Sequence, residues 1–306
     1  MRHRSGWLSR LTGALLFMVG SAASGMAPSP VPSPSILTEQ SRWALSWSAE
    51  AGPKPEFRGL KNLDGAGTAP GSMVYPGGSA GVMLISVLTH AAIVGRSVQR
   101  EMQAQQERAD QILVPHADVL AKFEKHDFLM QTRIHLRAMA SPFEGGLMGE
   151  AHHAPWQVEI RPIYQMSQDR QALVVDVMAS IKASGASGEE RRAAVRVISS
   201  PHVAVDLTEL WNAQDGALLK SQATELLARG IHYLMTEWSR SEPRTAVPSR
   251  TVRFPLGGQE QIERAQILEK RCPRMLLRRL NGELMSVPVD ASSTAASICA
   301  AQSPVK

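Results

Sequence analysis

The second half of the chain is a succession of short apolar runs separated by turn residues, and this pattern limits the fold more than any other feature. Asn281-Gly282 lies between two such runs, which is a strong two-residue signal for a β-hairpin. Gly257-Gly258 separates a second pair, and Val- and Ile-rich runs begin near Val158. Because these strands are joined by short turns, we expect a mostly antiparallel sheet.

Two regions show helical spacing. Residues 215–239 place leucines on one side and end before Pro243. Residues 79–113 repeat apolar side chains in steps of four and three, which predicts a long helix with a coiled-coil seam that Pro115 terminates. A second helix at 117–139 would fold back on it as a hairpin, with one apolar side formed by Leu120, Phe123, Met130 and Ile134. The predicted fold class is α+β: an N-terminal helical hairpin, then a mostly antiparallel sheet of about seven strands with one long helix packed on it.

The N-terminus has the layout of a secretory signal peptide. A basic start precedes the apolar run Leu11–Val19, and small residues lead to a predicted cleavage after Ala23. The apolar run is shorter than the ~20 residues that a bilayer-spanning helix needs. Three of the 33 Lys and Arg residues and none of the 28 Asp and Glu residues lie in 1–23, so the formal net charge of +5 falls to +2 without this segment. We therefore expect a chain exported to the periplasm or cell envelope of a bacterium.

The composition of residues 24–306 indicates four further segments. Residues 24–80 are rich in Pro, Gly and Ser, including a Pro/Ser repeat at 28–34, and are predicted to be a largely disordered linker in which Trp43 and Trp47 lie four apart at helical spacing. The helical hairpin is expected at 81–145, the α+β domain at 146–290, and a flexible Ala/Ser-rich tail at 291–306. About 210 residues would then fold as one domain with an attached hairpin.

The segment 77–95 suggests an alternative in which the protein is tethered to a membrane. No charged residue lies between Gly65 and Gly95. A helix over 77–95 would be ~28 Å long, close to the thickness of a bilayer core. Its start is weakened by three glycines, and the charges on its two sides do not fix an orientation.

Ser79 is the one candidate nucleophile, and it motivates a second alternative, a serine hydrolase. Gly77-Gly78-Ser79-Ala80-Gly81 matches G-x-S-x-G, which in hydrolases places the serine on a sharp turn between a strand and a helix. A helix is expected to follow, but the preceding stretch is short and ends at Pro76. The same glycines fit a flexible hinge or a close helix-packing motif.

Metal and cofactor signatures are weak. Glu150, His152 and His153 form a small cluster of metal-ligating types, but adjacent histidines diverge in direction, so a solvated loop pair is favoured over a zinc site. The fourteen methionines are scattered and are interpreted as core filler. No phosphate-binding loop or dinucleotide fingerprint occurs, and no cofactor is expected.

The chain has two cysteines, Cys272 and Cys299. In an oxidising periplasm two thiols tend to pair. A disulfide between them would join the tail to the last hairpin, with a stabilisation of roughly 3.5 kcal/mol in the chain-entropy model.

The densest basic region lies between Arg264 and Arg279, where arginines and lysines alternate with glutamates. Mixed-sign faces of this kind are ordinary protein surface. Phe254 is the only aromatic residue after Trp238, so stacking side chains for bases are lacking. We therefore expect no nucleic-acid partner.

Together these features favour a non-enzymatic, exported cell-envelope protein with a binding or assembly role. Its partner would be another envelope protein or a second copy of the chain, contacted through helix 79–113. The residues expected to carry that contact are Leu84, Leu88, Val98, Met102 and Ile112.

Overall fold

The structure, a computed structural model, describes residues 42–61, 99–139, 147–148, 154–183, 190–240, 247–271 and 273–289. These residues form a ten-stranded sheet with helices packed on one face. The predicted α+β class, with a mostly antiparallel sheet and a long helix packed on it, is confirmed.

The strands follow the predicted pattern in the second half of the chain and extend it in the first. Their bounds are β1 (Trp43–Trp47), β2 (Glu56–Gly59), β3 (Leu147–Met148), β4 (Trp156–Met166), β5 (Leu173–Ala183), β6 (Arg191–Ile198), β7 (Arg250–Leu256), β8 (Gln259–Arg271), β9 (Arg274–Arg279) and β10 (Leu284–Pro288). The order in the sheet is β3-β1-β4-β5-β6-β10-β9-β8-β7, and β2 pairs with the second half of β4. Hairpin neighbours are antiparallel, whereas β1 and β2 run parallel to β4 and β10 runs parallel to β6.

Alternation and turn residues explain these strands. Along β4 every second side chain is buried, because successive side chains of a strand point to opposite faces. The two predicted glycine turns connect β7 to β8 and β9 to β10, and both contain a glycine in the left-handed region, Gly257 (φ 63°) and Gly282 (φ 88°).

The helices are α1 (residues 99–110 of the described part), a 3-10 helix (Gln111–His116), α2 (Ala117–Leu120), α3 (Lys125–Ala138) and α4 (Leu207–Trp238). Helix α4 begins after Asp206, whose carboxylate accepts a hydrogen bond from the Glu209 amide (2.9 Å). It bends at residues 213–216, where Gln214, Asp215 and Gly216 all have positive φ.

The predicted N-terminal helical hairpin is not supported. In the described part of helix 79–113, Ala109 is buried, and its backbone carbonyl lies against Gly59 of β2. The predicted helix 117–139 is interrupted at residues 121–124, and its longer part, α3, packs on α4. Phe128 packs on Phe57 of β2 and Tyr164 of β4 and, like Leu136, is in the core, whereas Met130 and Ile134 are exposed.

Residues 42–61 lie inside the range for which the sequence predicts a disordered linker, yet they contribute β1 and β2. Trp43 and Trp47 belong to a strand, not to a helical turn, and Trp43 is buried. The Trp47 indole donates to the carbonyl of Lys125 (3.2 Å), which links β1 to the start of α3. The rest of the range 24–80 lies outside the described residues.

The sheet has one covered face and one open face. On the covered face, α4 buries Leu219, Leu226 and Leu227 against Val177 and Val195 of the sheet. On the other side, the β7–β8 hairpin folds back toward β10 and encloses a second, smaller core that includes Phe254, Leu277 and Met285. Burial of one such apolar side chain contributes about 1.5–3 kcal/mol. Between this small core and α1, which lies beside β2, no helix of the part of the chain that the structure describes covers this side of β5 and β6.

Candidate functional site

The uncovered side of the central strands is the candidate functional site, and we call it the open face. Its floor consists of the side chains of β4, β5 and β6 that point away from α4: Arg161, Ile163, Gln165, Asp176, Met178, Ser180, Arg192, Ala194 and Arg196. The period-2 alternation of the strands places these polar residues on one face because the apolar partners of each strand face the core.

Three cavities open on this face. The hairpin cleft, about 190 Å³, lies between the β7–β8 hairpin and the floor, and its lining includes Arg196, Phe254, Leu256, Ile262 and Met285. The central trough, about 430 Å³, lies over Arg161, Met178 and Arg192. The helix groove, about 540 Å³, lies between α1 and the floor, and its lining includes Arg58, Met102, Gln106 and Ile163.

Paired charges cross the floor from strand to strand. The Arg196 guanidinium donates two hydrogen bonds of 2.6 Å to the two oxygens of Asp176, and Gln165 donates a third to the same carboxylate (3.1 Å). Such two-pronged contacts are stronger and more directional than single ones. The hydrogen bond to Asp176 raises the pKa of Arg196, so the guanidinium stays charged at neutral pH.

Further pairs extend this alternation of sign. Lys182 contacts Glu159 at 2.6 Å on one side of the floor. On the other side, Arg279 lies between Glu263 (3.4 Å) and Glu283 (3.0 Å). The open face therefore presents fixed charges of both signs and has no extended basic or acidic field.

Asp169 closes one end of the hairpin cleft. It lies in the β4–β5 turn and accepts hydrogen bonds from the Gly258 amide (2.6 Å), the Ser167 hydroxyl (2.6 Å) and the Gln171 amide (3.0 Å). Burial alone would raise the pKa of Asp169, but these three donors outweigh it and lower the pKa. A Cβ at Gly257 would lie 2.4 Å from the Asp169 carboxylate, so glycine is required for this contact between the two turns.

Apolar side chains interrupt the charged surface. Met178 is 42% exposed in the central trough, Met102 is 55% exposed at the helix groove, and Ile262 is 57% exposed at the hairpin cleft. Methionine adapts its shape to a partner, which suits a binding surface.

Two of the predicted interaction residues lie within the described part of the chain. Met102 lines the helix groove, whereas Ile112 lies in the 3-10 helix and packs against the main core. The other members of the predicted seam, Leu84, Leu88 and Val98, lie outside the described residues.

The remaining predicted site residues also lie outside the described residues: Ser79, Glu150, His152, His153, Cys272 and Cys299. The hydrolase, metal-site and disulfide hypotheses therefore stay predictions, as does the membrane tether at 77–95. Within the described residues, no cluster of three His, Cys, Asp or Glu side chains could hold a metal ion. No helix of the described part is long and apolar enough to cross a membrane.

Sequence reasoning missed the Asp176–Arg196 pair and the hairpin cleft. The available signal for the pair was a single charged residue at an outward-facing position of a largely apolar strand, as Asp176 is within β5. The basic region between Arg264 and Arg279 is divided by the fold. Arg274 is buried, Arg278 contacts Glu237 of α4, and Arg279 faces the hairpin cleft.

Comparison of the chain with protein-family models, with curated proteins and with solved structures finds no match.

Proposed function

We propose that the chain is a non-enzymatic binding protein of the bacterial cell envelope that contacts a polypeptide partner across its open face. The observation that carries the proposal is the lining of that face, in which exposed methionines alternate with paired arginines and carboxylates around three adjoining cavities. The secretory layout of residues 1–23 supports the envelope location.

A polypeptide is the partner that fits this lining best. Protein interfaces are enriched in Met and Arg relative to other surfaces. On the open face, Met178 lies in the central trough with Arg161 and Arg192, and Met102 lies at the helix groove with Arg58. Nucleic acid fits poorly, because the charges alternate in sign and the aromatic residue of the hairpin cleft, Phe254, is 4% exposed and cannot stack on bases.

The polar groups of the face are arranged for recognition, not for proton transfer. Asp176 accepts three hydrogen bonds, and Asp169 accepts three others. A carboxylate whose oxygens already accept several hydrogen bonds is poorly placed to take a proton from a substrate, and the lowered pKa of Asp169 weakens that residue further as a general base. These groups instead hold the floor and the hairpin in a fixed shape, which reduces the ordering cost of binding.

Helix α1 extends the proposed contact. Met102 projects at the edge of the helix groove, so a partner on the open face would also contact this helix. Helix 79–113, for which a docking role is proposed, and the open face would then form one continuous surface.

Photo-crosslinking in the cells that produce the chain tests the proposal. A photoreactive amino acid replaces Met178 on the open face or, as a matched control, Ile134, an exposed residue of α3. A discrete adduct from position 178 that is lost on Arg192→Glu, with none from position 134, supports the proposal. An adduct of twice the chain's own mass would show that the partner is a second copy. Absence of an adduct at 178, or equal adducts from both positions, contradicts the proposal.

A further inference from the structure

His116 is a completely buried histidine at the junction between the 3-10 helix and α4. It ends the 3-10 helix, and its Nδ1 lies 2.6 Å from Oδ1 of Asn212 in α4. The Asn212 side-chain amide donates to the carbonyl of Pro115 (2.9 Å), which fixes the orientation of the amide group. These two contacts attach the 3-10 segment to α4.

This arrangement fixes the protonation state of the ring. Because Oδ1 of Asn212 can only accept, Nδ1 of His116 must carry the hydrogen. In the neutral ring Nε2 then holds a lone pair, and this atom is buried with no hydrogen-bond partner in the part of the chain that the structure describes. A proton added at Nε2 would create a buried cation with no acceptor, which is costly.

The charged surroundings oppose protonation as well. Burial lowers the pKa of His116 most, Arg170 of the β4–β5 turn lowers it further, and the Asn212 contact opposes both. Charged residues on the elements packed against the 3-10 helix include Glu56 and Arg58 of β2, Asp118 of α2, and Glu209 and Asp215 in the first part of α4. Arg58 pairs with Glu56 and Asp110, and Asp215 is an exposed partner of Lys122, so none of these is an acceptor for Nε2.

The backbone at this junction is strained. Gln214 (φ 51°) and Asp215 (φ 55°) lie two and three residues after Asn212 in the bend of α4, and Arg170 (φ 60°) accepts a hydrogen bond at its carbonyl from the Trp211 indole (2.7 Å). Non-glycine residues in the left-handed region are strained and persist only where packing holds them. Packing of the 3-10 segment on α4 is part of what holds this bend.

The junction is joined to the open face by continuous chain. The 3-10 helix follows α1 without a break, and α1 forms the wall of the helix groove through Met102, Gln106 and Asp110. We propose that His116 is an acid-sensitive latch: protonation of Nε2 favours release of the 3-10 segment from α4 and loosens α1 at the wall of the open face. The effect on partner binding rests on the function proposed above, whereas release of the segment does not.

The sign of the effect follows from the two states. The folded state disfavours the proton that the released segment binds with an ordinary pKa of 6.5, so the latch is fully effective above pH 6.5 and weakens as pH falls below it. At pH 5.5, one unit below the pKa of the released state, the released population rises by about tenfold if the latched ring stays neutral.

Hydrogen exchange followed by mass spectrometry on the full chain tests the latch. After correction for intrinsic exchange, residues 111–120 of the unmodified protein should lose about tenfold protection between pH 7.5 and pH 5.5. His116→Gln should show equal protection at both pH values, and His202→Gln, which alters another histidine next to Trp211, should stay as acid-sensitive as the unmodified protein. Unchanged protection in the unmodified protein, or an acid-sensitive His116→Gln, overturns the proposal.

Two measurements keep the test decisive. Should His116→Gln fail to fold, the imidazole resonances of the unmodified protein provide the test. One ring with a pKa below 6.5 supports the latch if the loss of protection in residues 111–120 has its onset at or below pH 6.5. An onset of this loss above pH 6.5 contradicts the latch. Crosslinking from position 178 at both pH values then tests the link to binding. An adduct at neither pH counts against the proposed function and leaves the exchange result to test the latch by itself.

Discussion

Gly59→Ala tests the contact between β2 and α1, which forms one wall of the open face. The Gly59 amide donates to Asp110 (2.8 Å), and the Gly59 carbonyl accepts from the Gln106 side chain (3.1 Å). A Cβ at this position would lie 1.8 Å from the carbonyl oxygen of Ala109. The Ala109 carbonyl oxygen is a backbone atom and cannot rotate away as a flexible side chain would. Its distance from the new Cβ must grow from 1.8 Å to more than 3.0 Å, so α1 must move by at least 1.2 Å.

The expected cost combines three contributions. Overpacking of this kind costs about 1–3 kcal/mol. A shift of α1 also stretches the two hydrogen bonds to Gly59, each worth about 1 kcal/mol. Replacement of glycine by alanine restricts the unfolded chain and returns about 0.5 kcal/mol. If both hydrogen bonds are lost, the free energy of unfolding should therefore fall by about 2.5–4.5 kcal/mol.

Urea denaturation measures this change, with Gly52→Ala as the matched control. A Cβ at Gly52 meets nothing within 4 Å, so this variant should be unchanged or up to about 1 kcal/mol more stable. The midpoint for Gly59→Ala should fall without a large change in slope. Equal midpoints for the two variants would refute the packing of α1 on β2.

Three further substitutions test the core, the turn contact and the second core. Leu227→Ala removes a completely buried side chain of α4 and should cost about 2–5 kcal/mol in thermal or urea unfolding, whereas Met130→Ala, at an exposed position of α3, should stay within about 0.5 kcal/mol. Asp169→Asn should cost about 1 kcal/mol at pH 7, a value reduced by the exposure of the carboxylate. Because the pKa of Asp169 is lowered in the folded state, this contribution should be present above pH 3.8 and be lost as pH falls below that value. Asp118→Asn should leave this pH dependence unchanged. Arg274→Met should cost about 2–4 kcal/mol, because it leaves two buried backbone carbonyls and a serine hydroxyl without their donor, and a variant as stable as the parent would show that these bonds do not form.

The sequence predicted those parts of the fold that depend on residues close to one another in the chain. The Asn281-Gly282 turn, the Val- and Ile-rich strands that begin near Val158, and the apolar spacing of the longer part of α4 all have the predicted outcome. In each case the signal is contained within a few turns or one hairpin, where turn chemistry and periodicity act directly.

The parts that differ depend on contacts between distant segments. Trp43 becomes part of a strand because β4 offers a parallel edge much later in the chain, and the Gly- and Pro-rich flanks of β1 hide this pairing. Helix α3 buries Phe128 and not Met130 because Phe128 packs on Phe57 of β2 and Tyr164 of β4. Tertiary packing overrides local spacing in such cases.

The candidate site was only partly predictable for the same reason. Outward positions on β5 and β6 can be read from alternation, but the register that places Asp176 opposite Arg196 cannot. The hairpin cleft requires the β7–β8 hairpin to fold back over β10, which no local pattern indicates. Met102 was predicted as an interaction residue from its place in a helical seam, and it lies at the wall of the helix groove.

The most direct test of the proposed binding role is the affinity of the polypeptide identified by crosslinking for two matched variants of the purified chain. Met178→Asp alters the open face, and Ile134→Asp alters α3 on the covered side, and both residues are exposed. Isothermal titration should show binding at least tenfold weaker for Met178→Asp, a loss of about 1.4 kcal/mol or more, and within twofold of the parent for Ile134→Asp. Unchanged affinity for Met178→Asp, or an equal loss for Ile134→Asp, would contradict a binding role for the open face.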